Sequence, residues 1–124
     1  MKFYRIEHPS DGFGIFISKS IDKVPEKRTV YCLGLDDLIE RHSSGDFPSP
    51  YGDEFINFDS SFKCGFISLS HLEKWVTNLE MNVLLNNGYE VFEINNPSAQ
   101  CSQYQVIYKE EEITAKNNIT IRFK

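Results

Sequence analysis

The chain is organised around the stretch from Phe62 to Gly88, where the hydrophobic period changes from that of a strand to that of a helix. Cys64-Gly65-Phe66-Ile67-Ser68-Leu69 reads as a short strand. Ser70-His71-Leu72-Glu73 matches the capping box, in which a serine hydroxyl takes a backbone N–H and a glutamate reaches back. Leu72, Trp75, Val76 and Leu79 then recur at i, i+3, i+4 and i+7, which predicts one apolar helical face. Met81, Leu84 and Leu85 give a second face, and Asn86-Asn87-Gly88 ends the helix with a glycine suited to the left-handed conformation.

Ahead of this unit, Lys2–His8 alternates as a first strand stopped by Pro9. One of its faces carries Phe3, Arg5 and Glu7, and two charges on one strand face imply a cleft or solvent beside it. Ser10–Gly14 is a turn, Ile15-Phe16-Ile17 a brief apolar segment and Ser18–Arg28 a polar loop. Thr29–Leu33 is expected as a short strand and Gly34–Arg41 as a short helix. Serines, prolines and glycines make His42–Glu54 irregular. After the central helix, Tyr89–Ile94 and Ser102–Lys109 read as strands, the latter with Tyr104, Val106 and Tyr108 on one face. Glu110-Glu111-Glu112 interrupts, and Ile119–Phe123 is expected as a last strand forming a hairpin with Gln105–Tyr108. The fold class is α+β: a single domain, residues 1–124, with a mostly antiparallel, twisted sheet and one or two helices packed on it.

Composition sharpens this picture at a few points. The hydrophobic share is 40%, a modest figure, but ten Phe, six Tyr and one Trp supply large core pieces. No apolar run approaches the ~20 residues that span a bilayer, and the first residues lack a secretory pattern. The expected location is the cytoplasm. Cys32, Cys64 and Cys101 are far apart and odd in number, as reduced thiols would be. His8, His42 and His71 are isolated, so no metal site is expected.

The net charge of −5 argues against direct nucleic-acid binding, which needs clustered cations. Between Asp36 and Asp59 there are seven carboxylates and one arginine, Arg41. Such a segment either solvates the surface or attracts a basic partner, and Asp46, Phe47, Tyr51, Asp53 and Glu54 are the candidate contacts. Most of the nearby aromatics, Phe55, Phe58, Phe62 and Phe66 among them, are expected to attach this loop to the core. Arg5 admits two readings. It either holds a phosphate or carboxylate in a cleft, or it pairs with Glu7 or Glu90 on the open sheet face, and pairing is the stronger reading.

The succession Tyr4-Arg5-Ile6-Glu7, Gly12-x-Gly14, Pro48-x-Pro50-Tyr51-x-Asp53, Cys64-Gly65-Phe66-x-Ser68-Leu69-x-x-Leu72-x-x-Trp75, Gly88-Tyr89-x-Val91 and Gln105-Val106-Ile107-Tyr108-Lys109 resembles a family of small phage and prophage proteins of unassigned function. The tail from Glu110 to Lys124 lies beyond that pattern. Together with the small size, the acidity and the long acidic-aromatic loop, this resemblance favours a phage-encoded accessory protein in the host cytoplasm that binds and modulates a host macromolecule. Such a protein would act as an anti-defence inhibitor of the anti-CRISPR kind, its partner a host protein with a basic surface. A more distant likeness, to the ADP-ribosyltransferase-like fold, implies an NAD-binding enzyme in which Arg5 anchors the dinucleotide, Ser68 orients the nicotinamide ribose and Gln105 stands where that fold carries its catalytic glutamate. A glutamine there lacks the charge that stabilises an oxocarbenium-like transition state. A virion structural or assembly role is the third reading. Outside the NAD alternative, no cofactor is expected.

Overall fold

A computed structural model describes residues 1–15, 30, 33–43, 53–55, 58–59 and 61–124. Among the described residues, two small antiparallel sheets and three helices make up an α+β fold, as the sequence predicts. The first sheet has the order β1 (Lys2–Glu7), β3 (Glu90–Asn95), β6 (Ala115–Asn118). The second has the order β2 (Lys63–Gly65), β5 (Val106–Tyr108), β4 (Gln100–Cys101). The helices are α1 (Asp36–Ser43), α2 (Leu69–Trp75) and α3 (Asn78–Asn86).

Period-2 alternation on β1 sorts its residues between two cores. Ile6 and its partner Val91 face a core built with Leu38, Leu72, Trp75, Met81 and Leu84 from the helices. Phe3, opposite Ile94, faces a smaller core with Val106 and Tyr108 of the second sheet. The rings of Phe3 and Tyr108 lie 4.7 Å apart. Full burial of each such side chain contributes about 1.5–3 kcal/mol. Main-chain bonds between Tyr4 and Phe66 join the two sheets, at 2.9 and 2.6 Å. This close approach requires Gly65, where an added Cβ would lie 2.6 Å from the Tyr4 carbonyl oxygen and 2.8 Å from the Phe3 ring.

The helical stretch departs from the predicted pattern. Ser68, not Ser70, caps α2: its backbone is extended and its hydroxyl accepts the His71 N–H at 3.1 Å. The strand expected to reach Leu69 therefore stops at Gly65, with Phe66 forming an isolated bridge to Tyr4. The capping box forms at Thr77 and Glu80 instead. Glu80 N–H donates to Thr77 Oγ1 at 3.3 Å and Thr77 N–H to Glu80 Oε1 at 2.9 Å. Val76, buried and extended, separates α2 from α3, so Leu79 falls in the first turn of a new helix and is 79% exposed. The predicted ending holds: Gly88 adopts φ +91°, and a Cβ there would strike His8 Nε2 at 2.7 Å.

Two further expectations are corrected. The strand Ser102–Lys109 is shorter, because the Ser102 hydroxyl accepts the N–H groups of Tyr104 and Gln105 and turns the chain back on itself. Tyr104 lies in that turn rather than in a strand beside Val106. Ile119–Phe123 is not a strand. Residues 120–123 form a 3-10 turn, started by the Asn118 carboxamide oxygen accepting from Thr120, while Ala115–Asn118 pairs with β3 instead of β5. Val30 and Leu33 lie in turns, and the remainder of the strand expected at 29–33 falls outside the described residues, as does the 18–28 loop. The short helix predicted at 34–41 is present as α1 and runs through His42 and Ser43, which were expected to be irregular.

A candidate cavity and the charged clip behind it

The charged face of β1 meets neither solvent nor an open sheet. Phe3, Arg5 and Glu7 are 0%, 6% and 1% exposed. Burying unpaired charge is prohibitive, so every charge here is matched. Arg5 donates Nε–H to Glu7 Oε2 at 2.7 Å, Nη1–H to the Cys64 carbonyl at 2.6 Å and Nη2–H to the Gly12 carbonyl at 3.1 Å. The other Glu7 oxygen pairs with Lys116 of β6, whose ammonium also lies 4.8 Å above the Phe92 ring. Lys116 continues to Glu110 at 3.6 Å, Glu110 to Lys63 at 3.3 Å, and Lys63 back to the Gly12 carbonyl at 3.3 Å. The result is a closed ionic clip joining β1, the 8–14 turn, β2 and the tail after β5.

Protonation follows from these contacts. Burial opposes the charge on Arg5, but Tyr108, Cys64 and Glu7 around it more than offset that and raise its pKa. Burial likewise works against the Glu7 carboxylate, and its bonds from Lys116 and Arg5 prevail, holding it below the usual range. Burial pushes the Cys64 thiol up despite Arg5, and it pushes the Tyr108 phenol up as well. The Tyr108 hydroxyl is buried and, among the described residues, has no hydrogen-bond partner.

Beside the clip, at the outer edge of β1, lies a cavity of about 240 Å³. Its walls are largely apolar: Ile6, Phe13, Ile15, Phe58, Phe62, Phe66 and Trp75. Arg5, Lys63, Cys64, Gln105 and His42 provide the polar part. Phe66 and Trp75 meet edge to face at 5.4 Å, and the Trp75 indole N–H donates to His71 Nε2 at 3.3 Å. Burial lowers the His42 pKa to about 4, so this ring is neutral near pH 7. Among the described residues no carboxylate lines the cavity, and the thiol that does is protonated at that pH.

Of the residues singled out in the sequence, Arg5 and Gln105 line this cavity and Ser68 does not; Ser68 is the cap of α2. Gln105 is 2% exposed and donates Nε2–H to Asp53 Oδ2 at 2.9 Å. Asp53 also accepts from the Ser102 hydroxyl at 2.6 Å, so its carboxylate points inward and braces the 53–55 segment to the β4–β5 turn. Burial works against the Asp53 charge, and these two bonds hold its pKa below the ordinary value. Glu54 is exposed. Asp46, Phe47 and Tyr51 lie outside the described residues. Sequence reasoning missed Lys63, Glu110 and Lys116 as members of the clip. It also missed His42, Cys64 and Trp75 as cavity walls, because nothing local links any of them to Arg5.

A second internal pair fixes α1. Arg41 donates to both oxygens of Glu80, at 3.0 and 2.6 Å, and to the Trp75 carbonyl. Burial opposes the Glu80 charge, but its bonds from Arg41 and Thr77 lower its pKa.

These features define a small α+β protein with a closed charged clip and an aromatic-walled chamber. Among the described residues there is no group of three His, Cys, Asp or Glu able to hold a metal ion, and no helix long and apolar enough to cross a membrane. The family model described as "Bacteriophage T4 Y00F protein" matches residues 1–122, and the chain belongs to that family. The match takes in nearly all of the 110–124 tail, which the motif pattern alone had placed outside the resemblance. No curated protein matches the chain, and no solved structure does.

Proposed function

We infer that this phage-family protein is an accessory factor that binds a basic surface on a host protein, in the host cytoplasm, through its acidic face. The observation that carries this reading is the placement of Arg41. Arg41 is the one Lys or Arg between Asp36 and Asp59, and it is turned inward onto Glu80. Asp36, Asp37, Glu40, Glu54 and Asp59 are all exposed. A field predominantly of one sign steers association with an oppositely charged groove, including one that a host protein uses for nucleic acid. That is the mode of an anti-defence inhibitor of the anti-CRISPR kind.

Asp53 is a poor residue to reverse, since it braces Ser102 and Gln105. The test therefore uses Asp36→Lys, Asp37→Lys and Glu54→Lys together. Tagged protein is incubated with bacterial lysate, and retained proteins are challenged with duplex DNA. Retention of a nucleic-acid-binding protein that DNA displaces, and that the triple variant loses by on the order of tenfold, supports the reading. Equal retention by the folded triple variant would overturn it. The NAD-dependent alternative draws support from Arg5 and Gln105 sharing one cavity, and requires the dinucleotide to compete for a guanidinium already bonded at three points.

A further inference from the structure

We propose that the cavity beside β1 is a binding site for one planar aromatic ring bearing a hydrogen-bond acceptor, a role independent of the acidic face. Three features support this. The first is size: an apolar cavity of about 150 Å³ holds benzene, and this one measures about 240 Å³, enough for a ring and a substituent. The second is wall chemistry. Phe13, Phe62, Phe66 and Trp75 surround the space, and aromatic rings prefer edge-to-face and offset contacts with another ring. The third is a cationic donor set in an otherwise largely apolar wall. Arg5 lines the chamber and donates three of its five N–H groups to protein acceptors, leaving donors for an oxygen on the occupant. Gln105, also in the wall, is held in place by Asp53.

The ring has two sources: a free phenol-like molecule, or a tyrosine side chain presented by a partner. The protein carries its own reporters, since Trp75 is the single tryptophan and Cys64 lies in the wall. With Cys32→Ala and Cys101→Ser in place, Cys64 is the sole thiol. The chain is titrated with p-cresol, with toluene and with N-acetyl-tyrosinamide, reading Trp75 emission, Cys64 alkylation rate and ring-current shifts of the Ile6 and Ile15 methyl groups.

Saturable binding of p-cresol is expected, with Cys64 protected and both methyl groups shifted. Toluene, lacking the acceptor, is expected to bind about tenfold more weakly. N-acetyl-tyrosinamide binding as well as p-cresol would identify a partner's side chain as the source, and its exclusion would identify a free molecule. Ile15→Phe, which places a ring in the chamber, should abolish the response; the methyl shifts need no variant and stand if Ile15→Phe does not fold. Unsaturable quenching with no change at Cys64 or the methyl groups would overturn the site. Equal affinity for toluene and p-cresol would overturn the role given to Arg5.

Discussion

Arg5→Ala is expected to destabilise the fold severely. The substitution leaves Glu7, 1% exposed, with Lys116 as its remaining charge partner, and removes the donors to the Cys64 and Gly12 carbonyls. Breaking one side of a buried pair costs about 3–5 kcal/mol. Each part-buried carbonyl left without a donor adds up to about 1 kcal/mol. Two contacts soften the loss: Lys116 stays on Glu7, and Lys63 stays on the Gly12 carbonyl at 3.3 Å. A net loss of about 3–5 kcal/mol is expected, against a total of about 5–15 kcal/mol for an ordinary domain. In urea, with a slope of about 2 kcal/mol per molar, the midpoint should fall by about 2 M. The assay is equilibrium unfolding followed by far-ultraviolet circular dichroism and by Trp75 emission. The double variant Arg5→Met with Glu7→Met should recover much of the loss, because apolar groups of similar volume leave no orphaned charge. A stable Arg5→Ala protein, within about 1 kcal/mol of the parent, would refute the clip and return Arg5 to the role of a ligand-binding arginine. The result also governs any NAD experiment, since loss of binding in an unfolded variant says nothing about the guanidinium.

Stability should also fall on mild acidification. His42 titrates near 4 in the fold against 6.5 in the unfolded chain, so the unfolded chain takes up a proton that the fold refuses. The contribution is complete above pH 6.5 and lost as pH falls towards 4, up to about 3 kcal/mol in all; His42→Phe should flatten that slope in urea titrations taken at successive pH values. Glu7, whose pKa is lowered, adds a further loss at more acidic pH, below the ordinary glutamate value and through its depressed one. At the start of α2, Ser68→Ala should cost about 1 kcal/mol and Ser70→Ala less than about 0.5, a contrast that thermal unfolding resolves and that the local sequence pattern predicts the other way round.

The elements fixed by local chemistry were legible: the alternation of β1 and β3, the helix at 34–41, the glycine that ends α3. Where the sequence misled, two signals of the same kind competed. Ser68 and Ser70 are both of a cap-forming type, and only the latter starts a Ser-x-x-Glu pattern, yet the bridge of Phe66 to Tyr4 leaves the chain extended just long enough for Ser68 to serve. Ser-x-x-Glu at 70–73 and Thr-x-x-Glu at 77–80 compete likewise, and the second prevails because Glu80 is also held by Arg41. The strand Ala115–Asn118 has no hydrophobic alternation, being an exposed edge, and it is recognisable only by its pairing with β3. Ile119-Thr120-Ile121 mimics a strand, but Thr120 is buried through its bond from the Val91 N–H while Ile121 is 82% exposed. Two charges on one face of β1 signalled an unusual environment, and pairing of Arg5 with Glu7 was the favoured reading. Lys116, the second partner of Glu7, lies on the opposite edge of the same sheet, beyond the reach of any spacing rule.

The tail is what completes the clip. Glu110 and Lys116 both follow β5, and between them they join Lys63 to Glu7. The segment from Lys109 onward is therefore part of what makes a charged strand face tolerable at the centre of the molecule, consistent with a family match that runs to residue 122. Under the two proposals, the work divides between separate parts of the fold. Arg5 is at once the anchor of the clip and a wall of the aromatic chamber, so changes in the tail reach the chamber through Glu7 and Arg5. Asp36 and Asp37 lie on α1, which is tied to the rest of the fold by Arg41 and Glu80 instead. Ring binding and stability should thus vary together when the tail is altered, while reversing Asp36 and Asp37 should leave ring binding unchanged and cost only their favourable placement in the first turn of α1, about 0.3–1 kcal/mol each.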